Sequence, residues 1–360
     1  TELLPRMKQL ILLAKQYNIG LNIDAEEADR LELSLDLMEA LAHDKDLAGF
    51  DGIGFVVQGY QKRCPFVIDY LADLARRSGR KFMVRLVKGA YWDAEIKRAQ
   101  VDGMPGYPVY TRKVYTDVSY LVCAQKLLAA TDVLYPQFAT HNAHTLSAIY
   151  TWAQERGITD YEFQCLHGMG ETLYDQVVGA GKLNKPCRIY APVGSHETLL
   201  AYLVRRLLEN GANSSFVNQI VDDNVAIDTL IADPFEAAGK LGGSAHPNIA
   251  LPVDLYGAER KNSAGIDLSN EATLRQINAA FGHFATRQWQ AEPLLASGTN
   301  SSDVAQAVLN PADHRDVVGQ VIEANADDVE QALLAAQAYA TDWQTMPPSA
   351  RATALARGAD

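Results

Sequence analysis

The segment KFMVRLVKGAYWD, residues 81–93, predicts a buried strand that ends in a ligand-binding site. Its first half is an apolar run that only Arg85 and Lys88 interrupt. A glycine follows, which lets the backbone approach a ligand closely, and then come the aromatic residues Tyr91 and Trp92. Cations, a glycine and aromatic rings suit a flat anionic ligand better than they suit plain packing. We therefore expect such a ligand at the carboxyl end of this strand.

Composition and charge limit the classes of function. The chain has 360 residues, of which 48% are hydrophobic, so it can build one large domain or two ordinary ones. Its net charge of −12 argues against nucleic acid as the main partner, because phosphate binding needs a basic face. Four cysteines far apart in the sequence, without a CxxC pair, indicate a reducing compartment and no structural zinc. No run is apolar enough for a membrane span and no signal peptide is present, so we expect any membrane contact to be peripheral.

Strands and helices alternate six times between residues 19 and 211. Each predicted strand is apolar on both faces, which is typical of a parallel sheet covered by helices. The predicted strands cover residues 19–23, 52–57, 82–87, 135–142, 161–167 and 187–194. The predicted helices cover residues 3–17, 30–43, 65–77, 110–130, 145–156 and 195–211, with a short one near 171.

Two parallel architectures are compatible with this alternation. A doubly wound sheet usually has a glycine fingerprint after its first strand, and this sequence has none there. A (β/α)8 barrel places polar residues at the carboxyl end of every strand. Such residues recur here as Asp24, Gln58, Arg85 with Lys88, His141, His167 and Tyr190. We predict the barrel, and because six strands are found instead of eight, we expect the first two units to be missing from this chain.

The pattern changes after residue 216. Residues 221–233 are acidic and helix-like, residues 239–262 are turn-rich, and residues 274–291 predict a helix. From residue 308, a strand-like VVGQVIEA precedes an alanine-rich helix that reaches about residue 343, and a further helix opens at Pro347 and Pro348. We expect three parts: the incomplete barrel at 1–221, a linker arm at 222–300 and the start of another α/β module at 301–360.

Arg205 and Arg206 lie in the apolar segment LLAYLVRRLLENG. They are either two exposed arginines of an ordinary amphipathic helix or a clamp for a substrate carboxylate, since the guanidinium fork matches carboxylate geometry. Glu209, one turn further on, could orient one of them. Asp24 is a candidate partner for a cationic substrate group or for one of these arginines, although a lone aspartate at a strand end is more often a cap or turn residue.

Three further motifs carry weaker signals. In THNAH, residues 140–144, two histidines without a third ligand make a metal site improbable, so hydrogen bonds to a cofactor are favoured. HGMGE, residues 167–171, could form a phosphate nest before a helix. Tyr190 could be a core aromatic residue or could pack over a small apolar ring. No Ser/His/Asp or Cys/His constellation indicates nucleophilic catalysis.

Six segments together resemble one family: GFVVQGYQKR, RLVKGAYWD, FATHNAHT, FQCLHGMGE, RIYAPVG and LVRRLLENGANSSF. Over about residues 5–221 the chain closely resembles the proline dehydrogenase domain of bacterial proline utilization A. The resemblance implies a distorted (β/α)8 barrel with bound FAD, which oxidises L-proline to Δ1-pyrroline-5-carboxylate by hydride transfer to flavin N5. It also implies electron transfer to membrane quinone, a cytoplasmic protein that contacts the membrane peripherally when reduced, and a homo-oligomer.

From residue 308 the chain resembles the start of an aldehyde dehydrogenase fold, which in this family oxidises glutamate semialdehyde with NAD+. We expect that module to stop before its catalytic cysteine. We also expect the first barrel strands, with a lysine that assists carboxylate binding, and the DNA-binding segment of some members to be absent.

The resemblance assigns roles residue by residue. The residues implied to bind or line the proline site are Asp24, Tyr91, Leu166, Tyr190, Arg205 and Arg206. Of these, Arg205 and Arg206 bind the carboxylate and Tyr190 packs on the proline ring. The residues implied around FAD are Gln58, Arg85, Val87, Lys88, Gly89, Ala90, Trp92, Thr140, His141, Asn142, Gln164, Glu209, Ser215 and Phe216. Arg112 and Lys113 are implied at its adenosine or pyrophosphate end.

Two other functions remain open from the sequence. The chain could be a non-catalytic assembly segment, held in an oligomer by the helix predicted at 274–291 and by the linker arm. It could also be an aldolase-type barrel with Lys88 as a Schiff base, although that lysine lacks the usual apolar setting.

Overall fold

A computed structural model describes residues 2–211, 224–296 and 304–359. The chain divides into two compact units, Thr1–Thr273 and Leu274–Asp360. Among the described residues, no helix has both the length and the apolar character needed to cross a membrane.

The first unit alternates strands and helices over most of its length. Its strands are β1 (Leu21–Ile23), β2 (Ile53–Gln58), β3 (Phe82–Val87), β4 (Leu134–Ala139), β5 (Glu162–Leu166) and β6 (Cys187–Tyr190). Its first helices are α1 (Leu3–Gln16), α2 (Leu31–Ala42), α3 (Cys64–Ser78), α4 (Trp92–Val101) and α5 (Lys113–Ala129). They are followed by α6 (Ala143–Glu155), α7 (Glu171–Tyr174), α8 (His196–Gly211), α9 (Ile227–Leu230) and α10 (Pro234–Leu241).

The six strands form one parallel sheet in the order β1-β2-β3-β4-β5-β6. In register, Ile23 pairs with Phe55, Phe55 with Val84, and Val84 with Pro136. A doubly wound sheet would reverse its strand order at a switch point, whereas each strand here lies beside the next one in sequence. This sequential curled sheet confirms the predicted TIM-type barrel architecture.

Strand β3 shows how the sheet separates its two faces. Phe82, Val84 and Leu86 are fully buried in the core shared with the helices. Arg85 and Val87, which alternate with them, are only partly buried. Because alternate residues of a strand point to opposite faces, Arg85 shares the inner face of the curled sheet with Met83 and Val87.

Helix α4 was not predicted, since the sequence analysis assigned no element between residues 92 and 101. The helix buries little apolar surface, mainly Ile96 and Ala99. Its first turn carries Asp93 and Glu95, which a helix N-terminus favours. Its start at Trp92 moves that tryptophan from the strand end into a helix.

The cysteines, far apart in sequence, meet in two pairs. The Sγ atoms of Cys64 and Cys123 lie 3.6 Å apart, and those of Cys165 and Cys187 lie 3.7 Å apart. All four are free thiols.

The helix predicted at residues 274–291 is wrong at both ends. Helix α11 covers Glu271–Phe284, and Trp289–Ala291 forms strand β7. The earlier start follows from Asn270, whose Oδ1 accepts hydrogen bonds from Ala272 N and Thr273 N. Within the acidic stretch 221–233, the described residues form only the single turn α9, and helix α10 extends into the predicted turn-rich arm.

The second unit contains a small mixed sheet. Strand β9 (Asp313–Val321) lies between β7, to which it is parallel, and β8 (Gln306–Asn310), to which it is antiparallel. Helix α12 (Ala326–Thr345) begins with a capping box in which Asn325 and Asp328 exchange hydrogen bonds with each other's backbone, and α13 covers Pro348–Ala359. The strand–helix–helix order predicted from residue 308 is therefore observed.

An aromatic cluster lies in the core of the first unit. The Phe163 ring centroid is 5.6 Å from that of Tyr161, 6.3 Å from that of Phe138 and 6.4 Å from that of Tyr174. Phe163 is 0% exposed, so its truncation would leave a cavity among packed rings.

We expect Phe163→Ala to lower the free energy of unfolding by about 3–5 kcal/mol, as large-to-small changes in cores do. Urea denaturation measures this change. Phe66→Ala is the matched control because the Phe66 side chain is 72% exposed, and there we expect less than about 0.5 kcal/mol. Equal losses in the two variants would contradict the position of the core.

Candidate active site

Arg85 joins two strand ends at the inner face of the sheet. Its guanidinium donates a hydrogen bond to the Asp24 carboxylate just after β1 and lies 5.2 Å from the ring centroid of Tyr190 at the end of β6. The Arg85 side chain is 14% exposed, and burial lowers the pKa of Arg85 from its ordinary value. Within the described ranges, Nε of Arg85 is buried without a hydrogen-bond partner. Arg85 can therefore donate one further hydrogen bond through Nε.

A second set of contacts links Arg205, Tyr91 and Glu26. The Arg205 guanidinium lies 5.2 Å from the ring centroid of Tyr91, and the Tyr91 hydroxyl donates a hydrogen bond to the Glu26 carboxylate. Burial and this hydrogen bond raise the pKa of Tyr91 to about 12, so the phenol stays protonated. The sequence analysis missed Glu26, although it lies only two residues after Asp24.

Helix α8 turns its two arginines inward. Arg205 and Arg206 are half-buried, whereas Leu200, Leu203 and Leu207 are 62%, 49% and 72% exposed. An ordinary amphipathic surface helix would show the opposite arrangement. Of the two interpretations left open by the sequence, the structure favours arginines that face a site.

Tyr202 connects this helix to the strand ends. The Arg206 guanidinium lies 5.1 Å from the Tyr202 ring centroid, and Tyr202 is also an electrostatic neighbour of Arg85. Arg206 in turn lies close enough to His141 to lower its pKa. Guanidinium groups from β3 and α8 therefore share one region.

His141 is neutral at this region. Its Nε2 accepts a hydrogen bond from Leu166 N at 3.1 Å, which places the ring proton on Nδ1. Burial, with a smaller contribution from Arg206, lowers the pKa of His141 to about 4 against the opposing charge of Glu171. The imidazole can donate through Nδ1 but adds no positive charge.

Three residues implied around FAD are buried and bonded within the chain. Gln58 Nε2 donates to the Glu26 carbonyl at 3.1 Å, and Gln164 Nε2 donates to Glu162 Oε1 at 2.7 Å. The Thr140 carbonyl accepts from the Tyr174 hydroxyl at 2.8 Å. Their hydrogen bonds within the chain hold the strand ends in place.

The glycine at position 89 has an internal explanation. Its φ of +128° is strained for other residues, and a Cβ there would lie 2.5 Å from the Tyr60 ring. Trp92 Nε1 donates to the Tyr110 carbonyl at 2.8 Å, and the Val87 carbonyl accepts from Gly59 N at 2.8 Å. Packing against Tyr60 therefore requires Gly89, whether or not a ligand approaches, and Ala90 beside it is exposed.

The remaining predicted cations bind a carboxylate or backbone carbonyls of the chain itself. Lys88 and Lys113 both contact Asp117 on α5. Arg112 Nε donates to the carbonyls of Ser244 and Ala245, at 3.0 and 3.1 Å.

Asn142 caps α6 by accepting a hydrogen bond from Thr145 N. Three predicted cofactor residues lie outside the description: Ser215 and Phe216 entirely, and Glu209 in its side chain.

A buried polar network on the inner face of the sheet was not predicted. Glu162 is 3% exposed and accepts hydrogen bonds from Arg188 through both carboxylate oxygens, at 2.8 and 2.9 Å. Gln137 Nε2 also donates to it at 3.0 Å, and Gln137 Oε1 accepts a hydrogen bond from Asn22 Nδ2 at 2.9 Å. The sequence signal is the polar residue that recurs inside otherwise apolar strands.

One cavity lies away from these charges. A cavity of about 400 Å³ is lined by Lys62, Tyr110, Tyr115 and neighbouring residues of α3 and α5, and no predicted site residue lines it. In the part of the chain that the structure describes, no group of three or more His, Cys, Asp and Glu could hold a metal ion. We place the site by its converging charges.

Comparison with known proteins identifies the family. The proline dehydrogenase family model matches residues 2–219. The chain belongs to the proline dehydrogenase family. The aldehyde dehydrogenase family model matches residues 299–360.

The PutA relatives of this proline dehydrogenase family member are longer proteins. The bifunctional protein PutA of Klebsiella aerogenes is 61% identical over an alignment of 368 positions that covers 99% of this chain and 28% of that protein. PutA of Escherichia coli (strain K12) has the same identity and the same coverage. Proline dehydrogenase 1 of Bacillus subtilis is 26% identical over 216 residues. The chain thus spans about a quarter of the length of its PutA relatives.

Solved structures show the same similarity. The crystal structure of proline utilization A from Bdellovibrio bacteriovorus, inactivated by N-propargylglycine, has a TM-score of 0.84 and 30% identity over 96% of this chain and 35% of that one. A mutant of proline utilization A from Bradyrhizobium japonicum has a TM-score of 0.75 and 50% identity over 82% of this chain and 29% of that one.

The environment of His141 predicts a pH dependence. A histidine whose pKa falls from 6.5 to about 4 on folding binds fewer protons folded than unfolded between those values, so stability is complete above about pH 6.5 and is lost as pH falls towards 4. The loss amounts to at most about 3 kcal/mol. We expect His141→Gln to flatten the slope of unfolding free energy against pH in this window, measured by urea denaturation at several pH values.

His144→Gln is the matched control, because it leaves His141 and its hydrogen bond intact. An unchanged slope in His141→Gln, or the same flattening in both variants, would contradict a buried neutral His141.

Proposed function

We propose that this chain forms most of a proline dehydrogenase site that oxidises L-proline to Δ1-pyrroline-5-carboxylate with FAD. The observation that carries the proposal is the group of half-buried guanidiniums, Arg85, Arg205 and Arg206, interleaved with tyrosine rings at the strand ends. Such a region suits an anionic substrate with a small apolar ring. Membership of the proline dehydrogenase family supports this substrate.

The residues present fit a flavin dinucleotide. Nε of Arg85 is a buried donor without a partner within the described ranges, and the lysines at positions 88 and 113 supply positive charge after the end of β3 and at the start of α5. When bound, the flavin supplies the hydride acceptor for the chemistry. Arg85 would stabilise negative charge that develops on the isoalloxazine, because a fixed cation in a partly dry site acts strongly.

The other residues bind and orient the substrate. Arg205 and Arg206 would hold the proline carboxylate through their planar forks, and Tyr190 would pack on the pyrrolidine ring. Asp24, paired with Arg85, offsets part of the positive charge, and Tyr91 and Leu166 complete the wall of the pocket. Hydride transfer requires no protein nucleophile, in agreement with the absence of a nucleophilic constellation from the sequence.

The wider activity of the parent protein is also part of the proposal. The match of residues 299–360 to the aldehyde dehydrogenase family supports a second, NAD+-dependent oxidation of glutamate semialdehyde to glutamate in that protein. We propose membrane quinone as the electron acceptor and a homo-oligomeric parent in the cytoplasm, contacting the membrane peripherally when reduced. We also propose that residues 222–300 link the two modules.

The Schiff-base alternative is less compatible with the contacts. Lys88 forms an ion pair with Asp117, whereas a Schiff-base lysine needs an uncharged amine in apolar surroundings. The assembly alternative predicts a chain without bound flavin. It also gives no reason for the inward arginines of α8.

The visible absorption spectrum of the purified protein tests the function directly. We expect flavin bands that bleach when L-proline is added anaerobically, because hydride transfer reduces the flavin. D-proline is the control, since the carboxylate would leave the arginine pair when the ring is placed for transfer. A folded protein without flavin bands would overturn the proposal and favour the assembly alternative.

The arginine pair predicts a defect in substrate binding. Arg205→Lys and Arg206→Lys should each raise the KM for L-proline by about tenfold or more, since loss of a bidentate contact to a carboxylate costs on the order of 1.5–3 kcal/mol. The flavin spectrum should not change. Arg98→Lys, which alters a surface pair with Asp29, is the control. An unchanged KM in both α8 variants would refute the carboxylate clamp.

A further inference from the structure

Asp117 on α5 binds two lysines at once. Lys88 Nζ, from the end of β3, donates a hydrogen bond to Oδ1 of Asp117. Lys113 Nζ, one helical turn before Asp117, donates to Oδ2 at 2.8 Å. Each carboxylate oxygen therefore takes one ammonium group, and the two ammonium groups are held on opposite sides of a single carboxylate.

Asp117 is buried enough to hold this arrangement. Its side chain is 21% exposed. Burial acts to raise the pKa of Asp117, but the charges of Lys88 and Lys113 outweigh it, and the pKa lies below its ordinary value. The three groups together carry one net positive charge. Without the carboxylate, two like charges on long flexible side chains would repel each other and disperse.

A small polar cavity adjoins Lys113 and Asp117. It measures about 120 Å³, and Lys113, Asp117, Asn142 and Thr145 are among the residues that line it. A volume of that size holds about four waters, or one phosphate group, at roughly 30 Å³ for each water. The cavity lies beside the first turn of α6, a 13-residue helix whose N-terminus carries partial positive charge.

Asn142 adds a donor to the same cavity. Its Oδ1 accepts the hydrogen bond from Thr145 N at 3.0 Å, and its NH2 group can donate to a ligand. An ammonium group, an amide donor and a helix N-terminus converge here, and together they suit a phosphate oxygen.

We propose that Asp117 is a positioning residue that fixes Lys88 and Lys113 for contact with the phosphate-bearing part of the dinucleotide cofactor. The inference rests on the proposed function and adds to it a residue that itself repels phosphate. Asp117 acts through the two lysines, by setting their separation and removing their mutual repulsion before the cofactor arrives. The proposal also predicts that Asp117 contributes to the binding of the phosphates and not to the binding of the flavin ring.

The test compares two ligands that share a ring and differ in phosphate. The flavin is removed from the full chain, and the dissociation constants of FAD and riboflavin are measured by fluorescence for the wild type and for Asp117→Asn. We expect Asp117→Asn to weaken FAD binding about tenfold and to change riboflavin binding less than twofold. The dependence of FAD affinity on salt should also become shallower, because fewer ordered cations contact the phosphates.

Two further variants make the result decisive. Asp117→Glu keeps the charge and should recover at least half of the lost FAD affinity on a logarithmic scale. Asp69→Asn removes the carboxylate partner of Lys126, another lysine of α5, and should leave both dissociation constants unchanged. Circular dichroism checks that each variant is folded.

Three outcomes overturn the proposal. Tighter or unchanged FAD binding in Asp117→Asn would mean that the carboxylate only repels the cofactor or does not act on it. Equal weakening of FAD and riboflavin, with a lower melting temperature, would mean a purely structural role. A wild type that binds neither flavin would overturn the proposed function itself, an outcome that the wild-type measurement reveals separately from those of the variants.

Discussion

The site depends on the parallel direction of six consecutive strands. Because each strand pairs with its sequence neighbour in the same direction, all six carboxyl ends meet at one edge of the curled sheet. Asp24 and Arg85 are 61 residues apart in sequence, yet this topology brings them into contact. Each strand needs only a polar residue at its end for the edge to collect cations, carboxylates and rings.

Charges collected in this way must be stabilised before any ligand binds. Arg85 and Arg205 lie against tyrosine rings, and cation–π contact stabilises a guanidinium without occupying its N–H donors. In the described part of the chain, Nε of each remains buried and without a hydrogen-bond partner. Since a buried donor without a partner is costly, a ligand that accepts these hydrogen bonds gains more than one that meets solvated arginines.

Sequence reasoning recovered what local pattern determines. The strands and the barrel class follow from apolar periodicity and from the polar residues at the strand ends, whereas the role of the arginine pair of α8 stays a prediction. Glu26 was missed because its partner Tyr91 is 65 residues away and only the fold brings the two close. Asp117 was missed because Lys88 is 29 residues away, and its spacing to Lys113 alone is that of an ordinary helix pair. Strand β7 was taken for the end of a helix because three residues that pair with a distant strand carry no local period of their own.

The inner face of the sheet combines two kinds of polar residue. Arg85 pairs in register with Gln137, and Gln137 with Glu162, so Arg85 lies beside the buried network on neighbouring strands. In that network Glu162 meets the Arg188 fork and two amide groups, which compensate its charge within the chain. Among the described residues, Nε of Arg85 and of Arg205 has no such partner. The strand ends therefore hold both a network whose charge is compensated within the chain and guanidiniums that keep a donor unpaired.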